Sequence, residues 1–183
     1  KSLYDIKEID AQGNVDFNSS EFKMSGSGEA LNFLVFNEKL KIEGVKSKLI
    51  TEDIKMTSHG FIEVNNVNGN FSVKGLNSKL VNESIIIIAE SIDGKFSNDN
   101  EISLLNVVDK KISYVKNNEI EMYAKKINFD NKSSIIELID NVTIIRNEEK
   151  ITGDYGTLNT KNNSYKMKSN KQSKVKVIIQ NNE

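Results

Sequence analysis

The chain has no cysteine, no proline and no tryptophan. Without cysteine there is no disulfide, no thiolate nucleophile and no Cys-ligated metal site. The same absence suits a reducing cytosol and, equally, a periplasmic protein that needs no disulfides. Without proline, every turn must reach its backbone angles through Asn, Asp or Gly. Arginine is nearly missing too: Arg146 stands alone among 25 basic residues. Arginine forks dominate the reading of phosphates and base edges, so nucleic acid is not an expected partner. The net charge of -1 gives no bulk field toward an anionic surface either.

Long apolar runs are also lacking. Ile85-Ile86-Ile87-Ile88-Ala89 is the longest, far too short to cross a bilayer as a helix. One histidine, His59, sits in "MTSHGF", where a turn or surface position is expected rather than a metal ligand or the base of a triad. "SNDNEIS" (97–103) alternates oxygen ligands but lacks the central glycine and closing glutamate of a calcium loop, and reads as a solvated turn. The acidic pairs Glu52-Asp53 and Glu148-Glu149 fall in expected turns, with nothing to position them as paired carboxylates. Matches to the glycosylation sequon, such as Asn82-Glu83-Ser84, are those expected by chance in so Asn- and Ser-rich a chain. The residues point to no catalytic group, no metal and no cofactor.

What is present is period-two alternation, as in Phe22-x-Met24, Leu40-x-Ile42, Phe71-x-Val73, Ile120-x-Met122 and Val175-x-Val177. Asn-rich punctuation separates these runs in "VNNVNGNF" (64–71), "FSNDNE" (96–101), "VKNNE" (115–119) and "NTKNNS" (159–164). No composition shift marks a boundary, so residues 1–183 read as a single all-β domain.

A pattern repeats along it. "KIEGVKSKLIT" (41–51), "SVKGLNSKLVN" (72–82), "EMYAKKINFDN" (121–131) and "KITGDYGTLNT" (150–160) each carry an apolar residue, then a small one two positions on. A large apolar residue follows five positions later; a weaker copy lies at Met24, Gly26 and Leu31. Residues two apart on a strand share a face and residues five apart do not. The three stay on one face only if the strand gains a residue between them, as at a β-bulge. Gly44, Gly75, Ala124 and Gly153 therefore read as kinks in long strands bending around a core. The returning strands carry Ile136 and Leu138 in one copy and Tyr165 and Met167 in another.

A second pattern, "IDAQGNVDF" (9–17) and "IIELIDNVTII" (135–145), sets a polar corner ending in Asn-Val between two alternating runs. Followed by "KITGDYGTLNT", it resembles the OstA-like lipopolysaccharide transport family, which includes LptA, LptC and the N-terminal domain of LptD. The resemblance is best over 120–168 and weaker over 6–82; Asp140 stands where the family prefers glycine, and 83–118 matches nothing. It implies a long antiparallel β-jellyroll of two facing sheets, V-shaped with open ends and an apolar cleft. It further implies a non-enzymatic periplasmic protein that binds the acyl chains of lipid A and relays lipopolysaccharide between membranes. Its partners would be other components of the system, joined through edge strands, and a head-to-tail homo-oligomer. An LptA-like component, whose signal is removed, is expected over an LptC-like one with its membrane anchor.

If the chain makes roughly 14–16 strands split between two sheets, the groove is on the order of 35 Å long. The residues in repeat phase are the candidate lipid A contacts: Ile42, Leu49, Val73, Leu80, Met122, Phe129, Leu138, Val142, Ile144, Ile151 and Leu158. Lys125, Lys126, Lys150 and Lys161 are considered for the lipid A phosphates, although ordinary solvated faces are the simpler account. Two other architectures remain open. A structural β-solenoid predicts evenly spaced copies and a closed core, and the long gap from Gly75 to Ala124 counts against it. A carbohydrate-binding sandwich or glycosidase predicts clustered exposed aromatics, for which the chain has no Trp and few Tyr.

Overall fold

The computed structural model describes residues 6–97, 101–162, 164–169 and 174–179. Among these there is no helix, and fourteen strands form one antiparallel hydrogen-bonded sheet. The strands are β1 Glu8–Ser19, β2 Met24–Leu34, β3 Lys39–Glu43, β4 Ser47–Ile50, β5 Lys55–Ser58, β6 Phe61–Asn65 and β7 Asn70–Val81. They continue as β8 Ile85–Phe96, β9 Ile102–Asn117, β10 Ile120–Asp130, β11 Ile135–Arg146, β12 Glu149–Asn159, β13 Ser164–Lys168 and β14 Lys176–Ile179.

The sheet is folded over on itself, because each long strand serves two layers in turn. The first half of β7 pairs with β6 and its second half with β5. Likewise β2 pairs with β4 through its first half and with β3 through its second, and β12 pairs with β14 and then β13. Between the halves the register slips, at Gln12/Val15, Lys74/Ser78, Ile88/Ser91, Ala124/Lys126 and Ile139/Val142. These slips line up across the sheet as a spine. One layer contains β3, β6 and β13; the other contains β4, β5 and β14. Strand sharing makes both layers longer than the expected partition into two separate sheets allowed: about 50 Å, at ~4.8 Å per strand.

The extra residues are not shared evenly along the spine. Gly13-Asn14 in β1, Gly75-Leu76-Asn77 in β7 and Asp140-Asn141 in β11 each face a single residue of the neighbouring strand. Alternate strands, running in one direction, carry the bulges; β2, β8, β10 and β12, running back, do not. The bulges need left-handed backbone, which Gly13, Asn14, Gly44, Gly75, Asn77, Asp140 and Asn141 supply. This explains the uneven spacing of the repeat: Gly44 and Gly75 lie on the bulged set, Ala124 and Gly153 on the returning set.

Gly153 is accordingly a different case from Gly44 and Gly75. It lies at the spine, but the inserted residues opposite it are Asp140 and Asn141 of β11. A Cβ on Gly153 would sit 2.7 Å from Met167 Cγ and 2.8 Å from the Lys168 carbonyl. Close approach of β13, rather than a kink in its own strand, is what requires glycine there.

Buried serines hold the spine. Ser47 and Ser78 donate to the carbonyls of Gly44 and Gly75, both at 2.9 Å. Ser58 donates to the Lys74 carbonyl at 2.7 Å and lies 3.0 Å from the Ser78 hydroxyl. Ser113 reaches the Lys125 carbonyl. Where the ladder breaks, these hydroxyls bond to backbone carbonyls at the spine, the Gly44 carbonyl also accepting from the Ser47 nitrogen. The sequence shows the device as Gly-x-x-Ser-Lys-Leu in "GVKSKL" and "GLNSKL".

Opposite the spine run two rows of turns, the lips of the layers. One holds 20–23, 51–54, 82–84, 118–119 and 147–148; the other holds 35–38, 66–69, 131–134 and 160–162. Asparagine builds many of them: Asn65, Asn82 and Asn159 side chains accept backbone N–H bonds, and Asn118 and Asn147 are left-handed. The turn expected at "FSNDNE" lies partly outside the described residues, as does the calcium-like stretch that overlaps it.

Ser78→Ala leaves the Gly75 carbonyl and the Ser58 hydroxyl each short of a partner, so a loss of about 1–3 kcal/mol is expected in urea unfolding followed by circular dichroism. Gly75→Ala brings a Cβ within 2.7 Å of the Gly60 nitrogen at φ +130°, and is expected to lose at least as much. Gly13, left-handed with open space where its side chain would be, should lose less on the same change.

Candidate functional site

The candidate site is the space between the two layers. Alternation aims every second side chain into it, and both halves of each long strand point inward on either side of the spine. Ile42, Val73, Phe129, Leu138 and Leu158 come from one layer, and Leu49, Leu80, Met122, Val142, Ile144 and Ile151 from the other. All eleven lie on this interior surface. Ten are buried, none more than 6% exposed, and Phe129 is half-buried against the same cluster. Over most of its length the interior is a filled apolar core rather than an open cleft. Fully burying each such side chain is worth about 1.5–3 kcal/mol, so contact between the layers is the main stabilising element.

The layers part in one described region. A cavity of about 600 Å³ opens between the 51–54 lip and the 65–70 lip. Met24, Leu49, Ile54, Met56 and Val64 line it, with Phe22 and Phe96 at its margins. Of the repeat-phase residues only Leu49 reaches it. Reasoning from the repeat missed the others because they precede or follow turns, outside the aligned copies. The Met24 of the weaker copy was the available clue. A second, more open hollow of about 710 Å³ includes Leu104, Asn106, Asn128 and Phe129 among its lining residues.

The lysines separate clearly. Lys125 and Lys126 are on the spine, the side away from the lips, and cannot serve the mouth of a cleft. Lys150 projects from the outer face of its layer, opposite in phase to buried Ile151. Lys161 alone sits in a lip turn, exposed. His59 is exposed at the spine, its Nδ1 3.4 Å from Asn77 Nδ2. No three His, Asp or Glu side chains converge on a metal-sized point among the described residues. No helix among them is long and apolar enough to cross a membrane, which says nothing of strand-built membrane proteins.

A family model described as LptA/(LptD N-terminal domain) LPS transport protein matches residues 62–164, more than half of the chain. The chain belongs to this family. Its function is therefore related to lipopolysaccharide transport. Among solved structures it is similar to LptH, the LptA-homologous periplasmic component of the lipopolysaccharide transport device of Pseudomonas aeruginosa. The TM-score is 0.57 at 15% identity, over 70% of this chain and 95% of that one. At that identity the likeness bears on the fold, which is the β-jellyroll that the family resemblance implied. No curated protein matches the sequence. The matched range takes in 83–118, where the sequence alone offered no resemblance. Residues 85–88 and 113–117 form ordinary rungs of this jellyroll.

The outer faces of this family member carry tyrosine–glutamate pairs beside exposed apolar residues such as Ile88, Leu104 and Val108. Tyr123 donates to Glu121, Tyr155 to Glu137 and Tyr165 to Glu149, at 3.0, 3.0 and 2.7 Å. Partial burial, then the bond to the Glu121 carboxylate, pushes Tyr123 up from 10.0 to about 12. Below pH 10 the phenol is neutral whether the chain is folded or not. From pH 10 to about 12 only the unfolded chain releases the proton, so stability falls as pH rises through that window. Thermal melts across it should show the midpoint falling, and Tyr123→Phe should flatten part of the slope.

Proposed function

We propose that this chain is a non-enzymatic, periplasmic, LptA-like carrier that takes the acyl chains of lipid A between its two layers and relays lipopolysaccharide from inner to outer membrane. The observation that carries the reading is the continuous apolar interior, shared by two layers that are covalently joined only along the spine. An apolar surface of that length, with lips free to part, suits a guest of several hydrocarbon chains, each buried CH₂ contributing about 0.8 kcal/mol. The eleven interior residues named above are its contacts. Because they already pack on one another, the guest must replace one apolar contact with another, which keeps the affinity low enough for release.

Transfer needs a neighbour. Among the described residues, β1 at one end pairs only with β2, and β13 and β14 at the other only with β12, so each end presents a strand edge without a described partner. The β1 end carries Glu8, Asp10 and Asp16; the opposite end carries Lys166, Lys168 and Lys176. Opposite charges at opposite ends favour head-to-tail pairing, a heterologous contact that extends into filaments or onto another family member.

Photo-crosslinking residues at Phe129 or Ile144 are expected to capture lipopolysaccharide in cells. Capture only from the outward-facing Thr143, or from none of the three, would sink this reading. For the end-to-end contact, Lys166→Glu with Lys168→Glu should shorten the oligomer ladder seen in sedimentation at low salt. High salt should do the same to the unaltered chain.

A further inference from the structure

We infer that the hollow of about 710 Å³ is a saccharide site on the outside of the molecule, and that it takes neutral sugars of the carried lipopolysaccharide. The assignment to that lipid rests on the transport reading, whereas the site rests on the hollow's own chemistry. Asp93, Asn106, Asn128 and Glu137 line it from four adjacent strands, β8 to β11, each directly opposite the next. All four alternate with buried residues, among them Ile92, Leu105, Ile127 and Leu138, so they point away from the interior. The row is on the order of 14 Å long at ~4.8 Å per strand. The volume lies within the range of small-molecule sites, roughly 300–1,000 Å³.

Asparagine is depleted in strands, yet Asn106 and Asn128 stand side by side in the middle of the sheet. Their side-chain amides bond to no protein group among the described residues. Each offers two N–H donors and an acceptor in one plane, and a sugar hydroxyl both donates and accepts. The carboxylates at the ends of the row are already held: Asp93 by Ser72, Ser91 and Lys74, and Glu137 by Tyr155, which leaves Glu137 Oε2 open. Leu104, 47% exposed, and Ile135 add apolar surface for the C–H groups of a ring. Asp93, Asp130 and Glu137 outnumber the single lysine of the lining, Lys95, so phosphate and other anions are disfavoured there. Phe129 belongs to the interior phase, so no aromatic ring stacks on the ligand, and weak, exchangeable binding is expected.

Position links the hollow to the lipid. Asn70 and Lys95 line both the hollow and the cavity of about 600 Å³ between the lips, so the two spaces meet across the edge of one layer. A lipid with its tails in the interior would pass its anionic groups beside Lys95, which has no ion-pair partner among the described residues. The neutral sugars beyond them would lie in the hollow.

The probe is oligosaccharide released from lipopolysaccharide by mild acid and freed of phosphate. It is titrated into the purified protein and followed by the side-chain amide signals of Asn106 and Asn128 in heteronuclear NMR spectra. Saturable shifts of both signals are the expected result. Asn106→Ala with Asn128→Ala should weaken binding about tenfold, read on the remaining signals, with the circular dichroism spectrum unchanged. Thr143→Ala, on the outer face of the other layer, should bind as the unaltered chain does. Shifts confined to residues elsewhere, undiminished binding by the double variant, or no saturable shift at all would overturn the site. Shifts produced by glycan fragments of the cell wall and not by this oligosaccharide would overturn the assignment to the carried lipid. Photo-capture of intact lipopolysaccharide at Ile144 tests the transport reading separately, and its failure beside saturable saccharide binding would overturn that reading with the saccharide site left standing.

Discussion

A strand that lines two facing layers must turn over as it passes from one to the other, or half of its apolar side chains would face water. That constraint is met at the spine, and the rest of the molecule depends on it. Register slips at the spine leave the buried positions of both halves on the interior side, at odd spacing in β7, β8, β10 and β12 and at even spacing in β9 and β11. Left-handed Gly, Asn and Asp form the inserted residues of β1, β7 and β11. Interrupting the ladder exposes carbonyls inside the fold, and Ser47, Ser58, Ser78 and Ser113 bond to them. Two of these serines lie close in sequence to the glycine that creates the problem: Ser47 and Ser78 each follow one by three positions.

Joining the layers along one line has a mechanical consequence. The long strands β7 to β12 run through the spine from one layer into the other, so the layers resist sliding past one another, whereas at the lips they are held mainly by side-chain packing. Parting the lips costs apolar contact and no backbone hydrogen bonds. Among the described residues, β1 at one end and β13 and β14 at the other are each paired on one side only, with acidic residues on β1 and lysines on β13 and β14. The family match places the chain among lipopolysaccharide transport proteins.

Much of this was legible in the residues. The all-β class, the position of most turns, the phase change at Gly44 and Gly75 and the inward orientation of all eleven repeat-phase residues follow from local alternation and turn chemistry. Those are properties of neighbouring positions, and a sequence displays them directly. Less legible was anything that depends on which strand lies beside which. The aligned copies mixed strands of opposite direction, because the pattern of an apolar residue, a small residue and a phase-shifted apolar residue reads alike both ways. Gly153 resembled the kink glycines, although its constraint comes from Met167 and Lys168 on the adjacent strand.

The sequence by itself determined that this chain makes long strands which turn over midway, since a shift between two period-two patterns has only that outcome. Tertiary structure decided what those strands enclose. That the interior is filled over most of its length, that it parts beside Met24, Ile54, Met56 and Val64, and that Lys125 and Lys126 sit on the spine all depend on packing between residues far apart in the chain. Alternation fixes which side a residue faces; only the opposing layer fixes what it meets.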